Sequence, residues 1–259
     1  MSPFIRRAVS SLHFVYTRVR ESRKVAAEPE WAAADGTDWP MPSRELAFAV
    51  AGSSRMDVFV DGGRKAASTL ESAVSASGQS LADVQPVLDL GCGCGRVLRH
   101  LPRSLELHGV DADADAIEWC RQSYTGFRFQ HVMPEKPLPF TDGRFGLIYA
   151  FSVFTHIQIE AQRLLVQELH RLLRTGGLAI ISVHGASYED KLSAPEREAL
   201  AREGCVIRGS SLANSNYCNA FHRAEYVTGE LFRCMELVEF RPQGALGNPH
   251  QDLLIFRRP

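Results

Sequence analysis

Apolar positions near the start of the chain recur with helical spacing. Ile5, Val9, Leu12, Tyr16 and Val19 lie four, three, four and three residues apart, the period of one helix face. Residues 25–42 read as an irregular connector rich in proline and tryptophan. A second helical stretch then runs from Ser43, its expected N-cap, to about Ser77, with a break expected at Asp61-Gly62-Gly63. From Val84 the pattern changes. Short apolar runs PVLDL (86–90), LELHGVD (105–111), FRFQHV (127–132), GLIYAF (146–151) and LAIISV (178–183) alternate with the helical stretches GRVLRHL, ADAIEWCRQSY and IEAQRLLVQELHRLLR. This alternation predicts βαβ units in a doubly wound α/β sheet, parallel and covered on both faces. Two further runs, MELVEF (235–240) and DLLIFRR (252–258), are joined by QGALGNPHQ. That link is too short for a helical crossover, so they are expected to pair antiparallel at one edge of a seven-stranded sheet. The chain divides accordingly into residues 1–42 (amphipathic helix and connector), 43–83 (helical prelude) and 84–259 (core, with an insertion at about 185–233).

Composition narrows the class. The 259 residues, 45% apolar and 23% charged with a net charge of -1, are those of an ordinary globular protein with no global pull toward nucleic acid. No apolar run approaches the roughly 20 residues that span a bilayer. The six cysteines show no paired spacing, and residues 1–24 lack the apolar stretch of a secretory signal. Free thiols in the cytoplasm and no bound metal are therefore expected. Around the N-terminal stripe stand Arg6, Arg7, Arg18, Arg20, Arg23 and Lys24, against Glu21 alone. One reading lays this helix on a membrane. The favoured one packs it on the body or on a second subunit, as a lid or a homodimer contact beside the site.

The chemistry centres on VLDLGCGCGRVLRHL. Cys92 and Cys94 suggest metal or redox work, whereas Gly91, Gly93 and Gly95 suggest a backbone loop closing on a nucleotide-like ligand. Two thiolates leave a tetrahedral site half empty, so the cysteines are read as small residues between glycines that let the backbone approach a ligand. A dinucleotide fingerprint needs glycine at position 96, and the chain has Arg96 there. Asp111 ends the second strand about twenty residues on, where a carboxylate can accept hydrogen bonds from both hydroxyls of a ribose.

With these residues in place, the chain resembles the class I S-adenosylmethionine-dependent methyltransferases. The matching stretches are VLDLGCGCGRVL, HGVDADADAIEWCR, KPLPFTDGRFGLIYAFSVFTHI and ELHRLLRTGGLAIISVHG. The resemblance implies a Rossmann-like fold and S-adenosyl-L-methionine as cofactor. It implies that Asp89, Gly91, Cys92, Gly93 and Gly95 surround the amino-acid end of the cofactor, and that Asp111, with Ala112 beside it, holds the ribose. It further implies that Met133 and Pro134 flank the adenine, and that Ala150, Phe151 and Ser152 lie along the methionine moiety. The chain departs from the family pattern at Gly146 and Thr175, where aspartate and proline are common.

The implied reaction is methyl transfer to a small-molecule acceptor, most naturally an oxygen of a natural-product or sugar-like substrate. Transfer to oxygen calls for a general base. His184 after the fifth strand is the first candidate, His222 in the insertion the second, and His156 after the fourth strand the third. Tyr188, Asn216, Tyr217 and Asn219 are candidate polar contacts to the acceptor. After the fourth strand the chain reads AFSV, without the tetrapeptide of enzymes that methylate amino groups of nucleic acids, and no nucleic-acid partner is expected. The alternatives are N- or C-methylation of a small metabolite, or a non-catalytic cofactor-binding protein.

Overall fold

The computed structural model describes residues 37–53, 55–133, 136–209, 218–248 and 250–259. The N-terminal stripe 5–19, its basic residues and most of the connector lie outside them, as do Pro134, Asn216 and Tyr217. Five strands, β1 (Val87–Leu90), β2 (Leu107–Asp111), β3 (Arg128–His131), β4 (Phe145–Ala150) and β5 (Leu173–Val183), pair in parallel. A short pair, β6 (Cys205–Arg208) and β7 (Asn219–His222), stands apart. The expected hairpin, β8 (Glu236–Arg241) and β9 (Asp252–Arg257), completes the main sheet in the order β3-β2-β1-β4-β5-β9-β8. β9 runs antiparallel between β5 and β8.

Both sheet faces are covered, which is why the strands read as continuous apolar runs. On one face α1 (Arg44–Ala51) and α2 (Met56–Ala76) lead into the sheet and α3 (Ala114–Ser123) follows β2. Ala66, Leu70 and Val74 of α2 and Ile117 of α3 pack there on Val87, Leu147, Ile180 and Ile255. On the other face α4 (Ile159–Leu172) presents Val166, Leu169 and Leu172 to Leu88, Ile148, Ile181 and Leu254. Each such fully buried side chain contributes about 1.5–3 kcal/mol relative to exposure. The insertion adds α5 (Ala194–Glu203), opened by a Ser193–Glu196 capping box and closed by left-handed Gly204. Leu192, Leu200 and Phe221 form a small core of its own.

Three local expectations are corrected. The helical prelude breaks at Gly52, which caps α1 at φ 64°, and not at Asp61-Gly62-Gly63, which lies within α2. Those two glycines serve close approach: a Cβ on Gly63 would stand 2.2 Å from the Arg96 carbonyl oxygen, and one on Gly62 3.3 Å from that of Gly247. GRVLRHL forms only a turn and a 3-10 segment, Leu98–His100, because Pro102 holds Leu101 extended. β5 begins earlier than its apolar run, at Leu173. The departure at Gly146 has a packing reason, since a Cβ there would come within 2.5 Å of the Val84 carbonyl oxygen. Thr175 is exposed.

Gly63 provides a stability test. In an open helix, Gly→Ala stabilises by ~1 kcal/mol. Here the added methyl meets backbone, so Gly63→Ala is expected to destabilise by ~1–3 kcal/mol in urea titration. Gly229→Ala, where a Cβ meets nothing within 4 Å, should leave the midpoint unchanged or raise it.

Candidate functional site

The site is built at the carboxyl ends of the parallel strands, where open α/β sheets bind ligands. After β1 the backbone turns through Gly91, Gly93 and Gly95 at φ of 78°, 50° and 74°, a region that side chains with a Cβ avoid. The turn is tied to β2. Gly91 and Cys92 N–H donate to the Val110 carbonyl at 2.8 and 3.0 Å. Gly93 N–H donates to Asp111 Oδ2 at 2.7 Å, and Asp113 N–H to Oδ1 at 2.8 Å. Asp111 thus shapes the loop through both carboxylate oxygens, with the Ala112 backbone as a further donor. Burial raises its pKa, an effect that the backbone donors oppose. Asp111→Ala is expected to weaken cofactor affinity by ~2–3 kcal/mol, the scale of lost hydrogen bonds to a charged group. Calorimetric titration checks this, and an unchanged affinity would remove Asp111 from the site.

The loop glycines are crowded by protein. A Cβ on Gly91 would meet Val153 Cγ2 at 2.5 Å, one on Gly93 Val50 Cγ2 at 2.4 Å, and one on Gly95 the Tyr124 ring at 2.6 Å. Val50 belongs to α1, which therefore lies against the loop. Cys92 packs in the α2–α3 core, whereas Cys94 packs with α1 beside Ala47 and Phe59 and donates to the Leu46 carbonyl at 3.8 Å. Their thiols serve separate packing contacts.

Behind the loop is a buried polar cluster. Asp89 on β1 has its pKa raised to about 7, chiefly by burial, with Asp111 adding to the rise and Tyr149 and Arg96 opposing it. Arg96, itself buried, donates to the Gly247 carbonyl at 3.3 Å and to Asn248 Oδ1 at 2.7 Å on the β8–β9 connection. Ser152, after β4, holds a left-handed φ of 61°. Its N–H donates to Ser182 Oγ at 2.8 Å, and its hydroxyl accepts from Gln251 Nε2 at 2.9 Å. Ala150 and Phe151 are buried beside it. Met133 is 47% exposed just beyond β3, and the Ala112 carbonyl faces His131 Nε2 at 3.1 Å.

The three histidines separate. β7 docks on the carboxyl edge: Ala220 N–H donates to the Thr155 carbonyl and His222 N–H to the His184 carbonyl, both at 2.8 Å. The Ala220 carbonyl in turn lies 3.2 Å from His184 Nδ1, and the Cys218 carbonyl 2.8 Å from His156 Nδ1. A carbonyl only accepts, so both rings carry their proton on Nδ1 and keep a lone pair on Nε2. The rings stand edge to face at 6.2 Å, and Tyr188 stacks on His184 at 4.1 Å. Burial, and the neighbouring His156, push the His184 pKa down to about 4; burial also lowers His156. His222 is only 1% exposed. Its Nε2 lies 3.0 Å from Gln162 Oε1 of α4, an oxygen identified by the Gln162 amide donating to the Phe154 and Ile157 carbonyls. His222 therefore braces the insertion on α4, while the rings of His156 and His184 face each other. Asn219 is half-buried in β7.

Sequence reasoning passed over Val50, Arg96, Asn248 and Gln251. Arg96 had a signal, as the residue that breaks the dinucleotide frame. Asn248 and Gln251 lay in a connector read only for its length.

These residues fit S-adenosylmethionine: a glycine cradle for its backbone-like end, an acid at the end of β2 for a ribose, and a buried donor, Asn248 Nδ2, with no partner among the described residues. Among the described residues no group of three or more His, Cys, Asp or Glu is arranged to hold a metal ion, and no helix is long and apolar enough to cross a membrane. Residues 87–177 match the family described as methyltransferase domain. A tRNA (carboxymethyluridine(34)-5-O)-methyltransferase of Xenopus tropicalis is 34% identical over 107 residues, covering 40% of this chain and 16% of that protein. The chain thus spans under a fifth of that relative's length. A methyltransferase structure from Methanosarcina mazei shares 17% identity, with a TM-score of 0.51 over 66% of this chain and 91% of that one. Human N-acetylserotonin methyltransferase, solved in complex with S-adenosylmethionine, shares 14% identity, with a TM-score of 0.52 over 84% and 60%. These two share the fold. The family match assigns residues 87–177 to a methyltransferase domain, and the sheet around them has the Rossmann-like fold of S-adenosylmethionine-dependent methyltransferases.

Proposed function

We propose that the protein methylates an oxygen of a small-molecule acceptor, natural-product or sugar-like in character, with His184 as the general base. The observation that carries this reading is the His184 ring at the end of β5, its Nδ1 proton held by the Ala220 carbonyl and its Nε2 lone pair left for an acceptor hydroxyl. Such a ring is neutral at physiological pH, since burial holds its pKa at about 4. The cofactor supplies a methyl group activated on a sulfonium. With the cofactor bound, His184 Nε2 would take the proton of the acceptor hydroxyl as that oxygen receives the methyl group and the sulfonium becomes a neutral thioether. Gly91, Gly93 and Gly95 fix the donor by backbone contact. The insertion, seated on Thr155 and His184 through β7, shapes the acceptor side, where Tyr188 and Phe221 offer aromatic surface. Alignment of this kind supplies most of the rate in displacement from an activated donor.

A second reading rests on the Xenopus relative, whose name places its methylation on a tRNA uridine. One experiment separates the two. The protein is incubated with methyl-labelled S-adenosylmethionine and, in parallel, with a library of alcohols, phenols and carboxylic acids or with total tRNA. Label in the small-molecule fraction is the expected result. Label entering tRNA alone would replace the proposed acceptor class.

A further inference from the structure

The polar cluster behind the glycine loop has a directional order. Arg96 Nη2 donates to Asn248 Oδ1 at 2.7 Å, and the Ser152 hydroxyl reaches the same oxygen at 3.4 Å. The Ser182 hydroxyl donates to Gln251 Oε1 at 2.7 Å and accepts from Ser152 N–H, while Gln251 Nε2 donates to Ser152 Oγ at 2.9 Å. The guanidinium fixes which end of the Asn248 amide is oxygen, because the reverse orientation would set donor against donor. One end of the network is left over: Asn248 Nδ2 is buried with no partner among the described residues in a side chain only 6% exposed. Buried donors are costly when unsatisfied and are retained where something answers them.

What answers it is indicated by place and charge. Asn248 is held between Arg96, the residue directly after Gly95, and Ser152, which follows β4. These are the two carboxyl-end segments that meet where Gly91 faces Val153. The neighbouring guanidinium makes the position favourable for an anionic oxygen and hostile to a cation. We propose that Asn248 Nδ2 donates a hydrogen bond to the α-carboxylate of S-adenosylmethionine, with Arg96 and Ser152 as the residues that position it. The β8–β9 connection thereby becomes part of the cofactor site. This rests on the cofactor assignment above.

The test compares S-adenosylmethionine with its decarboxylated form, which lacks only the carboxylate, by calorimetry on the full chain. The unmutated protein should prefer the carboxylated ligand at least tenfold. Asn248→Asp keeps the oxygen that Arg96 holds and replaces the donor by a second oxygen. It should weaken S-adenosylmethionine at least tenfold and change decarboxylated ligand less than twofold. In the unmutated protein the Asn248 side-chain amide resonance should move with the first ligand and stay in place with the second, a readout that needs no variant to fold. Equal losses for both ligands would make Asn248 a structural residue, and no loss for either would assign its amide to a buried water. Either result overturns the proposal. If the unmutated protein bound neither ligand, the cofactor assignment itself would fall.

Discussion

Gly93→Val is expected to weaken binding of S-adenosylmethionine severely. Two costs add. A β-branched residue is forced to φ 50°, where such side chains are outliers, at about 1–2 kcal/mol. Its Cβ then lies 2.4 Å from Val50 Cγ2 of α1, an overpacking of about 1–3 kcal/mol. The loop can relieve both only by moving, and Gly93 N–H would then leave Asp111 Oδ2. The loop and Asp111, the expected ribose acid, would fail together; the ~2–5 kcal/mol of the two costs corresponds to a loss of about 30-fold to several thousandfold at 1.4 kcal/mol per tenfold. The sequence suggested that this Cβ would fill ligand space; the structure has Val50 there instead. Val50→Gly in the Gly93→Ala background should therefore recover part of the affinity, the steric part, and leave the backbone part lost. Calorimetry on the single variant decides the main point: affinity within threefold of the parent would refute it.

His184→Gln should lower turnover by roughly 10²–10⁴-fold, the usual contribution of a general base, with cofactor affinity unchanged. Glutamine can still donate to the Ala220 carbonyl, so the fold around β7 is kept. The pH profile gives an independent check. Because the folded-state pKa of His184 lies at about 4, below the usual value, the base stays unprotonated down to that range. Activity should fall on the acid side near pH 4–5, not near 6.5. His222→Gln, by contrast, should lower stability and spare turnover, since its Nε2 faces Gln162 in the interior. Full turnover by the His184 variant would leave the acceptor without a protein base at this position.

The sheet was legible because strands buried on both faces must be apolar throughout, and PVLDL, GLIYAF and LAIISV have few polar positions to confuse the period. The hairpin followed from the length of its link. Glycines were harder, since one residue type serves two needs. At Gly52 and Gly93 it supplies a left-handed dihedral; at Gly62 and Gly63 it lets a helix touch backbone. Only the neighbours in space tell these apart, and they come from residues 96 and 247. The strands β6 and β7 escaped notice because each has only four residues, too few to show a period. The network of Ser152 with Asn248 and Gln251 joins residues 96 and 99 positions apart and has no local signature. Among the histidines, sequence order placed all three near one edge; the bond of His222 Nε2 to Gln162 on α4 set it apart from the other two.

The position of β9 has a consequence for how the molecule is made. It is the last strand in chain order, yet it lies inside the sheet, between β5 and β8. During synthesis β1 to β5 emerge first and offer the whole outer edge of β5, from Leu178 to Val183, as unpaired backbone. Such an edge is open to pairing with other chains, and it stays open while the insertion and β8 are being translated. A nascent chain stalled before residue 248 would carry its glycine loop without the Arg96–Asn248 tie and without the Gln251 contacts beside it. Ribosome-bound intermediates of that length should aggregate readily and retain no cofactor, and both traits should vanish once β9 has cleared the exit tunnel.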